Sequence, residues 1–177
     1  CMRTVTLYIA MSLDGYIADR NGGVDWLAGQ DSGVESDYGY SAFEAGVDTV
    51  VMGWNTYHQL VTQLSPGRWI YDRLQSYVIT HRALPPAEGI TFTAESPCAL
   101  IRRLREEAGR GVWICGGAGI VRPLVAEDLI DVYHISVIPT ILGEGIPLFA
   151  PQERTIPLHL ERTESSNGIT GLIYRRR

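Results

Sequence analysis

The stretch Gly111-Val112-Trp113-Ile114-Cys115-Gly116-Gly117-Ala118-Gly119-Ile120-Val121 carries an apolar run into three glycines within four positions, and then into a second apolar run. A short apolar run of this kind is typical of a buried strand. Glycines directly after a strand let the backbone turn sharply and approach a ligand closely. If a helix begins there, its unpaired N–H groups and its dipole favour a phosphate. The stretch therefore predicts the active centre, with a plain tight turn as the alternative.

A second strand-glycine-helix pattern lies earlier in the chain. Residues 48–52 have the composition of a buried strand and run directly into Gly53-Trp54-Asn55-Thr56-Tyr57. Open α/β sheets bind ligands where the carboxyl ends of their strands meet. The repetition therefore predicts one ligand held between the two junctions.

The other segments predict further strands and helices. Residues 4–11 alternate in polarity and are rich in β-branched and aromatic side chains, which is typical of a strand. A serine cap, a proline and an apolar face predict a helix that starts at Ser96-Pro97 and ends at Gly109. Pro123 would clash inside a helix, so the helix after the glycines should start late or be kinked. We expect a short helix at residues 40–45 and strands at residues 75–80, 90–93, 131–138, 156–162 and 169–175.

The order of these segments decides the fold class. Strands and helices alternate through most of the chain, and two strands around the turn Ser165-Ser166-Asn167-Gly168 close it as a hairpin. This order predicts an α/β fold with a mostly parallel sheet and antiparallel strands at its C-terminal end. A length of 177 residues suits one domain, residues 1–177.

Two loops bear on function. Residues 19–23 cluster turn formers after a turn at residues 12–18, and predict either a mobile flap beside a pocket or an ordinary connection. Residues 139–149 form a long loop with many apolar side chains, which would expose a large patch if the chain stood alone. We therefore predict a homodimer, with folding back onto the chain's own core as the alternative. The side chains concerned are Ile141, Leu142, Ile146, Leu148 and Phe149.

Composition excludes several classes of protein. Hydrophobic residues make up 45% and charged residues 20%, as in globular proteins, and no apolar run is long enough for a membrane span. A net charge of -5 argues against a general nucleic-acid binder. The one basic run, Arg175-Arg176-Arg177, is interpreted as a solvated end.

The cysteines and the missing motifs argue against metal chemistry. Cys1, Cys98 and Cys115 are widely spaced, so they suggest neither a disulfide framework nor a zinc site. The sequence has no zinc-deaminase, metalloprotease or esterase motif, and its histidines are scattered. We expect a metal-independent protein of the reducing cytoplasm.

Five motifs in sequence order resemble the dihydrofolate-reductase-like superfamily. They are Ser12-Leu13-Asp14-Gly15-Tyr16-Ile17-Ala18, Val51-Met52-Gly53-Trp54-Asn55-Thr56-Tyr57, Val78-Ile79-Thr80-His81-Arg82, Ile114-Cys115-Gly116-Gly117-Ala118, and Pro139-Thr140-Ile141-Leu142-Gly143-Glu144-Gly145-Ile146-Pro147-Leu148-Phe149. The resemblance covers nearly the whole chain and is strongest to single-domain relatives of the C-terminal reductase domain of riboflavin biosynthesis. It implies a three-layer α/β fold around a twisted, mainly parallel, eight-stranded sheet. Such relatives are typically dimers.

The resemblance also implies an extended NADPH site across the strand ends. Ala10 and Ile17 would lie near the nicotinamide, and residues 19–23 would be the flap. The phosphates would be bound by Gly53, Thr56, Gly116, Gly117, Ala118, Gly119 and Ile120. Thr80, His81 and Arg82 would line the adenosine side, where Arg82 suits a ribose 2′-phosphate.

The chain departs from the family pattern at two places. The family commonly has Gly-Arg-x-Thr where this chain has Gly53-Trp54-Asn55-Thr56, so preference for NADPH over NADH would rest on Arg82 and His81. NADH is kept as the alternative cofactor. Trp26 is followed by Leu-Ala-Gly-Gln-Asp without an acid in the register of folate reductases, which argues against folate reduction.

The implied function is hydride transfer from NADPH to a small heterocyclic or ribosyl-type substrate. A pyrimidine or pteridine of the riboflavin type is expected, as for 5-amino-6-(5-phosphoribosylamino)uracil reductase or a dihydrofolate-reductase-like enzyme. A non-catalytic nucleotide or small-ligand binding protein of the same fold is the alternative, and a structural role is a third. Candidate proton donors are Asp31, Glu35, Asp37 and Tyr133, with solvent water as the other source.

Overall fold

The computed structural model describes residues 2–177, and Cys1 lies outside the described residues. One eight-stranded sheet has the order β5-β4-β3-β6-β1-β7-β10-β9. All neighbours from β5 to β7 run parallel, and β10 and β9 are added antiparallel. The expected sheet class is therefore confirmed. The strands are β1 Val5–Ser12, β2 Tyr16–Ala18, β3 Val47–Gly53, β4 Gln75–Ile79, β5 Ile90–Thr93, β6 Gly111–Gly116, β7 Val132–Ile138, β8 Ile146–Pro147, β9 Leu158–Ser166 and β10 Ile169–Arg176.

Helices cover both faces of this sheet and give three layers. On one face, α3 (Pro97–Glu106) and α4 (Ala118–Ala126) pack on alternate side chains of the central strands, including Leu7, Val51 and Ile114. On the other face, α1 (Tyr40–Glu44) and α2 (Trp54–Gln59) pack on the intervening side chains. A π-helical segment, Leu60–Leu64, continues α2. Alternation along each strand thus builds two apolar cores from one sheet.

The helix after the glycines starts earlier than expected. It begins at Ala118, directly after its N-cap Gly117, and contains Pro123. A proline lacks one N–H and so removes one bond of the helical ladder. Burial of Ile120, Val121 and Leu124 against the sheet offsets that loss. The expected late start is wrong, because tertiary packing outweighs the local cost, and the alternative of a kinked helix stays a prediction.

Two expected loop segments contain a small second sheet. Tyr16–Ala18 pairs antiparallel with Ile146–Pro147, which ties the first turn of the chain to the long apolar loop. Leu148 is fully buried, so this part of the loop folds onto the chain's own core. Ile141 is 71% exposed and Phe149 46% exposed. Within residues 2–177, no helix combines the length and the apolar character needed to cross a membrane.

The basic C-terminal run is part of the folded structure. Arg176 Nη2 donates to Asp131 Oδ1 at 2.6 Å, and the same carboxylate accepts from Arg105 Nη2 at 2.9 Å. Asp131 Oδ2 also accepts from the Val5 backbone N–H at 2.9 Å. Interpretation of this tail as a solvated end is therefore wrong for Arg176. Arg176, at the end of β10, thus binds Asp131, which directly precedes β7.

Candidate active site

The two strand-glycine-helix junctions lie side by side at the carboxyl edge of the sheet, because β3 and β6 are parallel neighbours. A Cβ built on Gly53 would lie 3.1 Å from Ile120 Cγ1, and one built on Gly117 would lie 3.7 Å from Thr56 Oγ1. Within residues 2–177, no side chain caps the first N–H groups of α2 or α4. Those of α4 are available to a ligand.

The remaining glycines of the second junction shape the same place. Gly116 has a φ of 123°, a conformation that glycine adopts at little cost. A Cβ built on Gly119 would meet no atom within 4 Å, so the first turn of α4 faces open space. The side chain of Ala118, in the same turn, is buried. The junction thus offers backbone groups rather than side chains to a ligand.

Arg82 and Trp54 form the far end of this edge. The guanidinium carbon of Arg82 lies 4.4 Å from the centroid of the Trp54 ring, and the ring also stacks on His58 at 5.1 Å. The buried Thr80 hydroxyl accepts a hydrogen bond from the Arg82 N–H at 3.1 Å. His81 and Arg82 are exposed. The tryptophan that replaces the family arginine therefore supports a different arginine at the sheet edge.

The predicted flap, residues 19–23, is held by hydrogen bonds. Asp19 Oδ1 accepts from the N–H groups of Asn21 and Gly23 at 2.9 and 2.8 Å. Gln59 Nε2 of α2 donates to Gly22 O at 3.0 Å. The loop is thus anchored to the helix that follows Gly53. Ile17, just before it, packs on the core that contains α4.

A cleft of about 710 Å³ opens beside the carboxyl ends of β1, β6 and β7. This volume lies within the range of small-molecule sites. Ala10 lines it, and in the sheet Ala10 pairs with Ser136, which lines it as well. A smaller recess of about 190 Å³ shares Tyr38, Ser136 and Ile169 with the cleft. The cleft includes Cys115, the residue directly before Gly116, so it lies next to the second glycine junction.

Aromatic rings form the inner wall of the cleft. Trp113 Nε1 donates to Tyr8 O at 3.0 Å, and the Trp113 ring lies 5.0 Å from that of Tyr71 and 5.7 Å from that of Tyr40. Tyr8 stacks on Phe43 of α1, with ring centroids 4.0 Å apart and an interplanar angle of 7°. Contacts of this kind hold each ring in one orientation. The wall is a fixed apolar surface suited to a planar ligand.

Burial keeps the hydroxyl and thiol groups of this wall protonated. It raises the pKa of the Cys115 thiol to about 12, although a hydrogen bond with Tyr71 opposes the change. Burial also raises the pKa of Tyr8 to about 12, and the charges of Asp37 and Glu164 add to that shift. At neutral pH these groups are therefore uncharged hydrogen-bonding partners.

The segment at residues 27–38 covers the cleft and is fixed by the C-terminal hairpin. Asn167, in the turn between β9 and β10, exchanges two hydrogen bonds of 2.9 Å with the Asp31 backbone. Its Nδ2 also donates to Tyr38 Oη at 2.9 Å. A Cβ on Gly29 would lie 2.2 Å from the Asn167 amide nitrogen, so only glycine fits there. The hairpin thus fixes the position of the segment that covers the cleft.

The four candidate proton donors separate in space. Asp31 and Asp37 line the cleft, whereas Glu35 does not. Hydrogen bonds from Ser41, and then from the Gly39 N–H, hold the pKa of Asp37 below its usual value. Tyr133 is only 3% exposed and lies near the amino end of β7, within the core on the opposite face. Tyr133 therefore does not lie with the other candidates, because the start of β7 lies at the opposite edge of the sheet from the cleft.

Several residues of the cleft escape the sequence prediction. Alternation along residues 4–11 identifies the apolar face through Val5 and Leu7, and the opposite face carries Tyr8 and Ala10 into the cleft. Tyr40, Tyr71 and Asn167 arrive from three distant segments. No local pattern marks them, since only the fold brings them together.

The chain belongs to the RibD C-terminal domain family, whose model matches residues 3–174. The protein YwjB of Bacillus subtilis (strain 168), described as uncharacterized, is 40% identical over 98% of each chain. The family match confirms the resemblance to the riboflavin-type domain.

Solved structures confirm the fold. A putative riboflavin biosynthesis protein from Shewanella sp. PV-4 has a TM-score of 0.80 and 26% identity, over 98% of this chain and 99% of that one. A dihydrofolate reductase from Enterococcus faecalis, solved with NADP(H), has a TM-score of 0.65 and 16% identity, over 98% and 96% of the two chains. The fold is thus of the reductase type and like that of dihydrofolate reductase.

Proposed function

We propose that the protein is an NADPH-dependent reductase of a small heterocyclic substrate. One observation carries the proposal: two strand-glycine-helix junctions lie side by side at the sheet edge from which the aromatic cleft opens. Carboxyl strand ends are where folds of this class bind cofactors. The Enterococcus enzyme of the same fold was solved with NADP(H).

The residues at the edge fit a dinucleotide phosphate. Gly53 and Gly117 leave room where any larger side chain would fill the space between α2 and α4. The first N–H groups of α4 favour negative charge. Arg82 stands on Trp54 at the far end and suits a ribose 2′-phosphate. We propose that Thr80 and His81 complete the adenosine side.

The cleft would hold the substrate beside Ala10. Bound NADPH supplies hydride, and the protein supplies orientation and access to a proton. The lowered pKa of Asp37 makes this carboxylate a poor acid at neutral pH. A water at the open side of the cleft would then deliver the proton.

Titration of the purified protein with NADPH and NADH tests the proposal. Gly117→Val should weaken NADPH binding more than about tenfold, or about 1.4 kcal/mol, because the added side chain blocks backbone approach. The fold should tolerate the change, since a Cβ on Gly117 meets only Thr56 Oγ1 at 3.7 Å. Gly46→Ala is the matched control, because its Cβ would meet Phe43 O at 3.6 Å, far from the junction.

Turnover is measured as loss of NADPH absorbance with pyrimidine, pteridine and carbonyl compounds. Consumption that depends on one of these compounds supports the reductase. Unchanged NADPH affinity in a folded Gly117→Val variant would remove the glycine junction from the cofactor site. Cofactor binding without any turnover would favour the non-catalytic binding protein.

A further inference from the structure

We propose that the substrate cleft takes a planar ring that is neutral or positively charged and carries no phosphate group. This inference rests on the proposed function, and it replaces the phosphoribosyl substrate that the resemblance implies. The observations that carry it are the aromatic inner wall, the acidic rim and the lack of a cation in the lining.

The wall sets the shape of the ligand. Tyr8, Tyr40, Tyr71 and Trp113 present ring faces and edges that are already packed on one another. A planar ring gains contact with such a surface without the entropic cost of ordering its side chains. Uncharged Cys115 lies among these rings and adds no charge.

The charged groups of the lining have one sign. Asp31 and Asp37 are the ionisable carboxylates of the cleft, and Glu164 lines the adjoining recess. Among residues 2–177, no lysine or arginine lines either space. A phosphate ester carries close to two negative charges at neutral pH and is normally met by arginine or lysine. Here it would meet carboxylates instead.

The recess does not supply the missing cation. His134 lines it, and burial lowers the pKa of this imidazole, so His134 is neutral at pH 7. Arg162 is the arginine whose charge reaches His134, but its Nε donates to Glu164 Oε1 at 3.1 Å and its side chain is 57% exposed. The two side chains therefore balance each other's charge, and the recess offers no free cation. Asp31 and Asp37 leave the cleft itself unfavourable for anions.

A matched pair of ligands tests the inference directly. Riboflavin and riboflavin 5′-phosphate share one planar ring and differ only in the phosphate, and proflavine is a planar cation. Binding is followed by quenching of each probe's fluorescence, with and without saturating NADP⁺, so no turnover is needed. We expect riboflavin to bind at least about tenfold more tightly than its phosphate, and proflavine at least as tightly as riboflavin.

Two charge-removing substitutions identify the cause. In the double variant Asp31→Asn, Asp37→Asn, the preference for riboflavin over its phosphate should fall to about threefold or less. Asparagine keeps one side-chain oxygen, which can accept from the Gly33 N–H at position 31. At position 37 it can accept from the N–H of Ser41 or of Gly39, whereas Asp37 accepts from both. Glu35→Gln removes an exposed carboxylate outside the lining and should leave the preference unchanged.

Three outcomes would overturn the inference. The first is equal or tighter binding of the phosphate ester. The second is a preference that persists unchanged in the double variant. The third is failure of all three probes to bind below about 1 mM, which would show that the cleft does not take a planar ring. Failure of NADPH to bind would contradict the reductase proposal. The affinities of riboflavin and riboflavin 5′-phosphate measured without NADP⁺ would still test the inference about the cleft.

Discussion

Arg82 is the residue on which preference for NADPH depends, because the family arginine is replaced by Trp54. Arg82→Ala should weaken NADPH binding about tenfold and change NADH binding less than about twofold, since only NADPH carries the 2′-phosphate. Isothermal titration with both cofactors measures the difference. Equal losses for the two would show that Arg82 does not contact that phosphate.

Trp54 provides the comparison for this residue. Its ring lies under the Arg82 guanidinium, and a cation–π contact at an exposed site contributes roughly 0.5–1 kcal/mol. Trp54→Leu should therefore cause a smaller and equally NADPH-selective loss. The Trp54 ring does not replace the charge of the family arginine, but it packs against the charged guanidinium of Arg82.

At the level of elements, one partly buried ion pair joins Arg3, just before β1, to Asp48 of β3. Arg3 is 6% exposed, and its Nη2 lies 2.5 Å from Asp48 Oδ1 and 2.6 Å from Thr49 Oγ1. Burial alone would raise the pKa of Asp48, but hydrogen bonds from Arg110 N–H and Thr49, with the Arg3 charge, lower it on balance. The ion pair therefore stabilises the folded sheet while Asp48 is ionised.

Asp48→Asn should lower the free energy of unfolding at pH 7 by about 2 kcal/mol. This is below the range for fully buried pairs, because Asp48 is about one-third exposed. A lowered folded pKa gives stability that is present above the unfolded value of about 3.9 and is lost as pH falls through the folded pKa. The difference between wild type and variant should thus shrink below about pH 4. Urea unfolding across pH measures it, with exposed Asp25→Asn as the control; a pH-independent difference would contradict the prediction.

For the whole molecule, we predict a homodimer that covers the apolar loop. Ile141, Ile146 and Phe149 remain exposed although Leu148 is buried, and β9 is an unpaired edge of the sheet. Pairing of identical chains is a common way to bury such a surface. Light scattering should give a mass near twice the 19.6 kDa of one chain.

Loop substitutions separate this interface from general stickiness. The double variant Ile141→Ser, Phe149→Ser should shift the protein toward the monomer. Leu64→Ser changes an equally exposed leucine, 52% exposed at the end of the π-helical segment, and should leave the mass unchanged. A single-chain mass that persists as the wild-type concentration rises would contradict the dimer.

The sequence by itself determines the fold class, an α/β fold with a mostly parallel sheet and antiparallel C-terminal strands. It also determines the two strand-glycine-helix junctions. Alternation, the glycines after residues 52 and 115, and the Ser96-Pro97 helix start are local signals, since each depends on side chains within a few positions. The family motifs extend these signals to a reductase-type fold. Local rules fail at Pro123, because burial of neighbouring side chains on the sheet outweighs the lost hydrogen bond.

Only the tertiary structure decides which side chains line the cleft. Tyr133 lies on the face of the sheet opposite the cleft, near the amino end of its strand. Glu35 lies outside the cleft lining, whereas Asp31 and Asp37 belong to it. The tertiary structure also brings Tyr71 and Asn167, which are far apart in the sequence, to one cleft. The physical reason is that strand direction and sheet order place distant side chains together. The periodicity of hydrophobic residues along the sequence carries no information about that placement.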